Sequence, residues 1–395
     1  MDRQQLCAVN LLLVNYEYPP IGGGAANASQ FLGRALLELG HSVEVLTSGL
    51  RGSDGITVED GMRIHRLPVG RTHLDRASQW EMFTFLRQSR AAVAKLDHGR
   101  QPDATIAFFT IPCGPAALRL HRLTGAPYLV SLRGGDVPGH VPGMGLKHAL
   151  TQPLRRAVLR HARAIIANSE GLAVTSRAAD PFPVAIIPNG VDCGLFRPET
   201  ASPDASPTRR LRLLFVGRLH AEKNLGVVLQ QLATLPPAMR TRFELAVAGD
   251  GVQRRELAAL AHSLGLATQI QWLGWQAKAG LPALYRSADA LVNPSFYEGM
   301  SNVVLEAMAS GLPVFASDVP GNRALVIPDQ TGVLFPLEQP AKLGEALAHL
   351  ITDQAWGRLL GRNGRQRVEA SFSWRRAAES YLELLAPRPP ASGPL

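Results

Sequence analysis

The feature that most constrains this chain is its opening segment. Val9 to Tyr16 is an apolar run of strand length, and Tyr18-Pro19-Pro20-Ile21-Gly22-Gly23-Gly24 breaks it. Phe31, Leu32, Ala35, Leu36 and Leu39 then recur at helical spacing up to Gly40, and Val43 to Thr47 supplies a second strand. Strand, glycine turn, helix and strand in that order make a βαβ unit, which commits the chain to a parallel sheet flanked by helices. The pattern continues with apolar runs at Ala104 to Phe109, Tyr128 to Leu132, Ala164 to Ala167 and Val184 to Ile187. Helical stretches such as Pro115 to Leu123 and Leu154 to His161 lie between several of them.

A second series of the same kind follows Pro198 to Arg210, a stretch of Pro, Ser, Thr, Ala and acids that reads as a linker. Leu211 to Val216, Phe243 to Ala248, Ile270 to Leu273, Ala290 to Asn293 and Pro313 to Ala316 are its strands, and Asn224 to Leu235 is its first helix. A length of 395 residues suits two domains rather than one core. The expected division is residues 1–197, a linker at 198–210, a second α/β domain at 211–372, a last amphipathic helix at 373–386 and a disordered tail at 387–395.

Hydrophobic residues at 46% and charged residues at 18% exclude a largely disordered chain. A net charge of +9 points to an anionic partner: a nucleotide, a phosphorylated lipid or a membrane surface. Nucleic acid fits less well, because no recognised fold or aromatic-interleaved basic motif accompanies the charge. Cys7, Cys113 and Cys193 are far apart, with neither disulfide nor zinc spacing, and read as small buried residues in a reducing compartment. The apolar run Leu6 to Val14 is too short to span a bilayer and has no basic leader, so the expected location is cytoplasmic. Lys147, Arg155, Arg156, Arg160 and Arg163 interleave with Leu154, Val158 and Leu159, and no acid occurs between Val137 and Ser169. The stretch 147–163 reads either as a basic amphipathic helix on the anionic inner face of the cytoplasmic membrane or as a solvated helix face.

Four motifs carry chemistry. In Glu298-Gly299-Met300-Ser301-Asn302-Val303-Val304-Leu305-Glu306 two carboxylates flank a helix start, with Ser301 or Asn302 as cap and Gly311 as stop. That helix is apolar nearly all round, so Glu306 needs a polar partner such as the hydroxyls of a ribose, unless it shares a narrow solvent strip with Asn302. Gly217-Arg218-Leu219-His220-Ala221-Glu222-Lys223 follows a strand and opens a helix, and its two cations suit a diphosphate. Gly22, Gly23 and Gly24 allow close backbone approach to a phosphate or sugar, or simply make a tight turn. Ser131-Leu132-Arg133-Gly134-Gly135-Asp136 ends another strand, where Arg133 and Asp136 either face a cleft or form a salt-bridged turn. No D-x-D pair, P-loop or G-x-S-x-G elbow occurs, so no metal or other cofactor is expected.

Together these motifs resemble the GT-B glycosyltransferases of family 4. The resemblance runs from the Gly23-Gly24 turn and Gly40-His41 through Asn189-Gly190-Val191-Asp192 to the glutamate pair, Glu306-Ala307-Met308-Ala309 and the closing Phe372-Ser373-Trp374. It implies an α/β fold of two Rossmann-like domains facing a central cleft, with the last helix crossing back onto the first. It also implies retaining, metal-independent transfer from a UDP- or GDP-sugar to a glycan or lipid-linked acceptor, in cell-surface polysaccharide synthesis. By the same resemblance Glu306 holds the ribose, Glu298 the transferred sugar, and Arg218 and Lys223 the diphosphate. Gly23 and Gly24 approach from the opposite domain, and Gly217, Gly249, Asp250, Gly299, Met300, Ser301 and Asn302 add donor contacts. Arg133 stands where many relatives carry a histidine, with Asp136 kept, and is expected to steady the leaving phosphate. Gly321-Asn322-Arg323-Ala324 departs from the relatives' Gly-Gly and glutamate, so donor contacts there differ. A nucleotide-sugar epimerase on the same scaffold and a non-catalytic sugar-nucleotide-binding protein are the competing readings.

Overall fold

The alternation of strand and helix builds two parallel sheets. A computed structural model describes residues 8–74, 77–95, 101–141, 143–198 and 210–386. These divide into two compact units: the residues up to Gly190 together with those from Trp374 on, and Val191–Ser373.

The first unit holds β1 (Asn10–Val14), α1 (Gly24–Glu38), β2 (Ser42–Leu50), β3 (Gly55–Glu59), β4 (Met62–Arg71), α2 (Gln79–Val93) and β5 (Ala104–Phe108). It continues with α3 (Gly114–Thr124), β6 (Tyr128–Ser131), α4 (Gly145–His161), β7 (Ala164–Ala167), α5 (Glu170–Ala179) and β8 (Val184–Ile186). The sheet order is β3-β4-β2-β1-β5-β6-β7-β8, parallel except for the β3–β4 hairpin. The two-residue period of β1 sends Leu11 and Leu13 into one core and Leu12 and Val14 into the other. α1 covers the first face, and α2 to α5 cover the second with Phe85, Leu118, Val158 and Leu172.

The second unit runs β9 (Leu211–Val216), α6 (Leu225–Thr234), α7 (Pro237–Arg240), β10 (Phe243–Ala248), α8 (Arg254–Ser263), β11 (Ile270–Gly274), α9 (Leu281–Arg286) and β12 (Ala290–Asn293). It ends with α10 (Asn302–Ala309), β13 (Val314–Ser317), α11 (Pro320–Arg323), β14 (Gly332–Phe335), α12 (Ala341–Thr352) and α13 (Gln354–Ser371). Its all-parallel order, β11-β10-β9-β12-β13-β14, is the 3-2-1-4-5-6 order of a Rossmann sheet. Strand order therefore reverses between β9 and β12, which opens a crevice at their carboxyl ends.

The last helix, α14 (Trp374–Leu385), belongs to the first unit. Trp374 stacks on Phe31 of α1, and Tyr381 Oη lies 2.6 Å from Ser131 Oγ at the end of β6.

Three expectations need correction. The first unit ends at Gly190, not at residue 197. Arg365 of α13 donates to the carbonyls of Cys193 and Phe196, which ties that segment to the second unit. Of the proposed linker, 199–209 lies outside the described residues, as do the tail 387–395 and Cys7. Cys113 is buried, whereas Cys193 is only half-buried. Last, the basic stretch 147–163 is helical only to His161, the end of α4, and has a different polarity from that expected. Val158 and Leu159 are buried, Arg155 is buried against Asp180 at 2.6 Å, and Arg163 is spent on carbonyls of the C-terminal helix. Among the described residues no helix is long and apolar enough to cross a membrane.

Candidate active site

The crevice of the second unit is built from the chain leaving β9 and the chain leaving β12. After β9, residues 217–224 make a tight turn that ends in a 3-10 turn at Ala221–Lys223. After β12, Pro294 to Ser301 leads into α10, whose first turn is capped by Ser301 Oγ accepting from the Val304 amide. The two loops are joined by the Phe296 amide, which donates to the Glu222 carbonyl at 2.9 Å.

Lys223 and Glu298 meet in this crevice. Lys223 Nζ donates to Glu298 Oε1 at 2.7 Å, with the two side chains 23% and 13% exposed. Ser295 Oγ lies 2.8 Å from the same oxygen. Behind Glu298 is a buried polar network: Asn293 Nδ2 donates to Ser301 Oγ at 3.1 Å and to Asn322 Oδ1 at 3.3 Å, and Asn322 Nδ2 donates to the Ser317 carbonyl at 2.9 Å. Ser317 Oγ donates to the Ser295 carbonyl. A network whose members are all paired fixes the loop it supports. Gly321 completes the platform, since a Cβ there would lie 2.3 Å from the Glu298 carbonyl oxygen.

Glu306 sits one turn into α10 and keeps part of its surface open. Its Oε2 accepts from the buried Tyr285 hydroxyl at 2.9 Å. Burial pushes its carboxyl up to about 7, against the Tyr285 hydrogen bond and the charge of Lys278, which both favour the ionised form. A recessed carboxylate with one oxygen engaged and a neighbouring cation is suited to accept from a vicinal diol.

Arg218 is 57% exposed and makes a long 3.5 Å contact to Glu222. Gly217 and Gly249 end adjacent strands, and a Cβ on Gly249 would lie 1.9 Å from the Gly217 carbonyl oxygen, so only glycine lets the two turns nest. Asp250 contributes its carbonyl to the Leu219 amide at 2.9 Å. Trp275, 74% exposed, follows β11 in the loop that carries Lys278.

Three comparisons bear on this arrangement. The family model described as "Glycosyl transferases group 1" matches residues 196–367, and "Glycosyl transferase 4-like domain" matches 23–190. The chain belongs to the GT-B glycosyltransferases of family 4. Among curated relatives of this glycosyltransferase, a glycogen synthase of Mycobacterium tuberculosis is 28% identical over 95% of this chain and 94% of its own. A D-inositol 3-phosphate glycosyltransferase of Salinispora arenicola is 33% identical over 60% of this chain and 57% of its own. Among solved structures, the sucrose-phosphate synthase of Thermosynechococcus elongatus superposes with a TM-score of 0.81 at 26% identity, covering 95% of this chain and 98% of the other. An Anabaena protein solved with UDP and glucose gives 0.73 at 19%, covering 95% and 99%, and shares the fold.

Within the glycosyltransferase's second unit, Lys223, Glu298, Gly299, Arg218, Gly217, Gly249 and Asp250 gather on the loops of strands β9, β10 and β12. Met300 and Ser301 do not point outward as expected donor contacts. Met300 packs in the core with Tyr285 and Val304, and the Ser301 hydroxyl is spent on capping and on Asn293. Asn302 opens α10.

Gly23 and Gly24 start α1 in the first unit, exposed and with no side-chain cap. Asp136 does not face outward. Its Oδ2 accepts from the Thr110 amide at 2.7 Å and hydroxyl at 3.1 Å, and its Oδ1 from the Arg133 amide at 2.9 Å, so it pins the β6 loop to the β5 loop. The Arg133 guanidinium lies over the Phe108 ring and donates to Asn189 Oδ1 at 2.8 Å and to Tyr381 Oη at 3.4 Å. A cavity of about 340 Å³ in this unit, lined by Asn10, His41, Glu44 and Arg63 among others, opens at the amino ends of the strands.

Sequence reasoning missed Tyr285, Lys278, Trp275 and the Asn293–Ser295–Ser317–Asn322 network. Only Trp275 carries a local signal, as a large aromatic directly after a strand-ending glycine.

Proposed function

We propose that this enzyme is a retaining, metal-independent hexosyltransferase that takes its sugar from UDP or GDP and passes it to a glycan or lipid-linked acceptor in cell-surface polysaccharide synthesis. The observation that carries this reading is the Lys223–Glu298 pair at the topological switch point, with Glu306 recessed one helical turn beyond it. Glu306 accepts from the ribose hydroxyls, and Lys278 stabilises its ionised form. The base lies toward the loop after β11, against Trp275. Lys223 and Arg218 face the diphosphate, and Glu298, steadied by Lys223 and Ser295, accepts from hydroxyls of the transferred sugar.

In this scheme the bond from the anomeric carbon to the β-phosphate oxygen breaks as the acceptor oxygen attacks the same face. The acceptor's proton passes to the departing phosphate. The diphosphate's growing charge falls to Lys223 and Arg218, so no divalent ion is needed. Orientation by the paired carboxylates supplies the rest. Asp136 and Arg133 shape the first unit's loops for this step rather than touching the reacting atoms. A lipid-linked acceptor puts the reaction on the cytoplasmic face of the membrane.

A thermal-shift screen against UDP- and GDP-sugars, with and without EDTA, tests the reading. It expects stabilisation by one nucleotide class, unchanged by EDTA. Stabilisation that vanishes with EDTA would overturn metal independence, and hydrolysis or epimerisation without transfer to any acceptor would overturn the transferase assignment.

A further inference from the structure

Among the exposed apolar side chains of the first unit, those on α4 and α2 fall into two groups. On α4, Leu146, Leu150 and Leu154 repeat every fourth residue and form one outward stripe, the first two 76% exposed. The opposite side of α4 is buried through His148, Arg155, Val158 and Leu159, so the stripe is not the helix's core face. On α2, Trp80 and Phe83 are exposed, with ring centroids 5.8 Å apart. α2 packs on α3 and α3 on α4, so the three helices form one layer over the sheet.

The charge of that layer is mainly positive. Lys147 and Arg160 are exposed on either side of the leucine stripe, and Arg87 and Arg90 are exposed on the Trp80 side of α2. Helices α3 and α4 contain no acid, and the one acid of α2, Glu81, is spent on its capping box. A solvated helix face would not expose three leucines in register. A face that meets an acidic protein would not need aromatic and leucine side chains standing clear of one another on separate helices. Apolar anchors rimmed by cations, with Glu81 as the one acid on the three helices, match an anionic bilayer interface, where rings and leucines enter the acyl boundary and cations meet headgroups.

We propose that the outward face of α2, α3 and α4 is a docking surface for anionic phospholipid, anchored by Trp80, Phe83, Leu146 and Leu150 with Lys147 and Arg160 at its rim. The inference deepens the reading of a lipid-linked acceptor and is independent of how the donor is held. Flotation of the full chain with phosphatidylcholine vesicles, with and without phosphatidylglycerol, tests it. The protein is expected to float only with phosphatidylglycerol and to be released by salt. L146E/L150E is expected to abolish flotation while donor-induced thermal stabilisation stays as in wild type, which shows that the variant is folded. K147E/R160E is expected to weaken partitioning by at least about fivefold per cation removed. No flotation at low salt, equal flotation with neutral vesicles, or wild-type flotation by L146E/L150E would overturn the proposal. So would self-association through this face, read by light scattering, without vesicle binding. Flotation without donor stabilisation would instead sink the donor reading and leave the surface standing.

Discussion

Lys223 Nζ and Glu298 Oε1, 75 positions apart in sequence, lie 2.7 Å apart across the reversal of strand order in the second sheet. The pair is half-buried, so neither charge is fully screened by water, and each fixes where the other's remaining hydrogen-bond capacity points. Lys223→Ala and Arg218→Ala are each expected to cut turnover by at least ~100-fold, the usual cost of removing one such donor. Steady-state kinetics with a matched acceptor checks this, and near-normal rates in both variants would reject their assignment.

If Glu306 holds the ribose as proposed, donor binding depends on pH. Burial raises its carboxyl from 4.5 to about 7, so the folded state holds a proton that the unfolded chain gives up. Its contribution to stability is fully present below about 4.5 and is lost as pH rises through about 7. Glu306→Gln is therefore expected to show a smaller loss of Tm than wild type between about pH 6 and about pH 8. Affinity for a nucleotide-sugar, whose diphosphate does not titrate in that range, is expected to increase through the same window in wild type and to stay flat in the variant. Parallel pH profiles for the two proteins would contradict the assignment.

Trp275 offers a flat face beside the loop that carries Lys278. Stacking of a base on an aromatic ring contributes about 1–3 kcal/mol, so Trp275→Ala is expected to weaken nucleotide-diphosphate binding by about 5- to 150-fold. Titration calorimetry with the free nucleotide reads this directly, and unchanged affinity would remove Trp275 from the site.

Gly321 tests the platform rather than the ligand contacts. A methyl group there collides with the Glu298 carbonyl, so Gly321→Ala must shift the Glu298 loop. The expected result is a loss of about 1–3 kcal/mol of stability together with weaker donor binding. Unfolding by denaturant gives the first and calorimetry the second; full retention of both would show that the loop has room to move.

Much of this was legible in the sequence because it is local. The βαβ order, the Ser301 cap and the seven-residue spacing of Glu298 and Glu306 are read from neighbours within a turn or two. The β3–β4 hairpin and α2 received no element, because Gly55–Glu59 lies on the sheet edge with an almost wholly exposed pattern and α2 mixes Trp80 and Phe83 into its outer face. The boundary at Gly190 was hidden because proline and serine cluster farther on, while the contacts that set it come from Arg365, some 170 residues away. Tyr285 and Asn322 escaped for the same reason. Their roles rest on pairings with Glu306 and Asn293, which are distant in sequence and leave no period to detect.

The central claim is that two carboxylates of the second unit grip a sugar nucleotide. Calorimetric titration of the full-length protein with UDP- and GDP-hexoses, beside Glu298→Gln and Glu306→Gln, tests it most directly. One nucleotide class is predicted to bind wild type, with each variant at least ~10-fold weaker, as expected when a hydrogen bond to a charged group is lost. Equal affinity for the wild type and both variants would contradict the account.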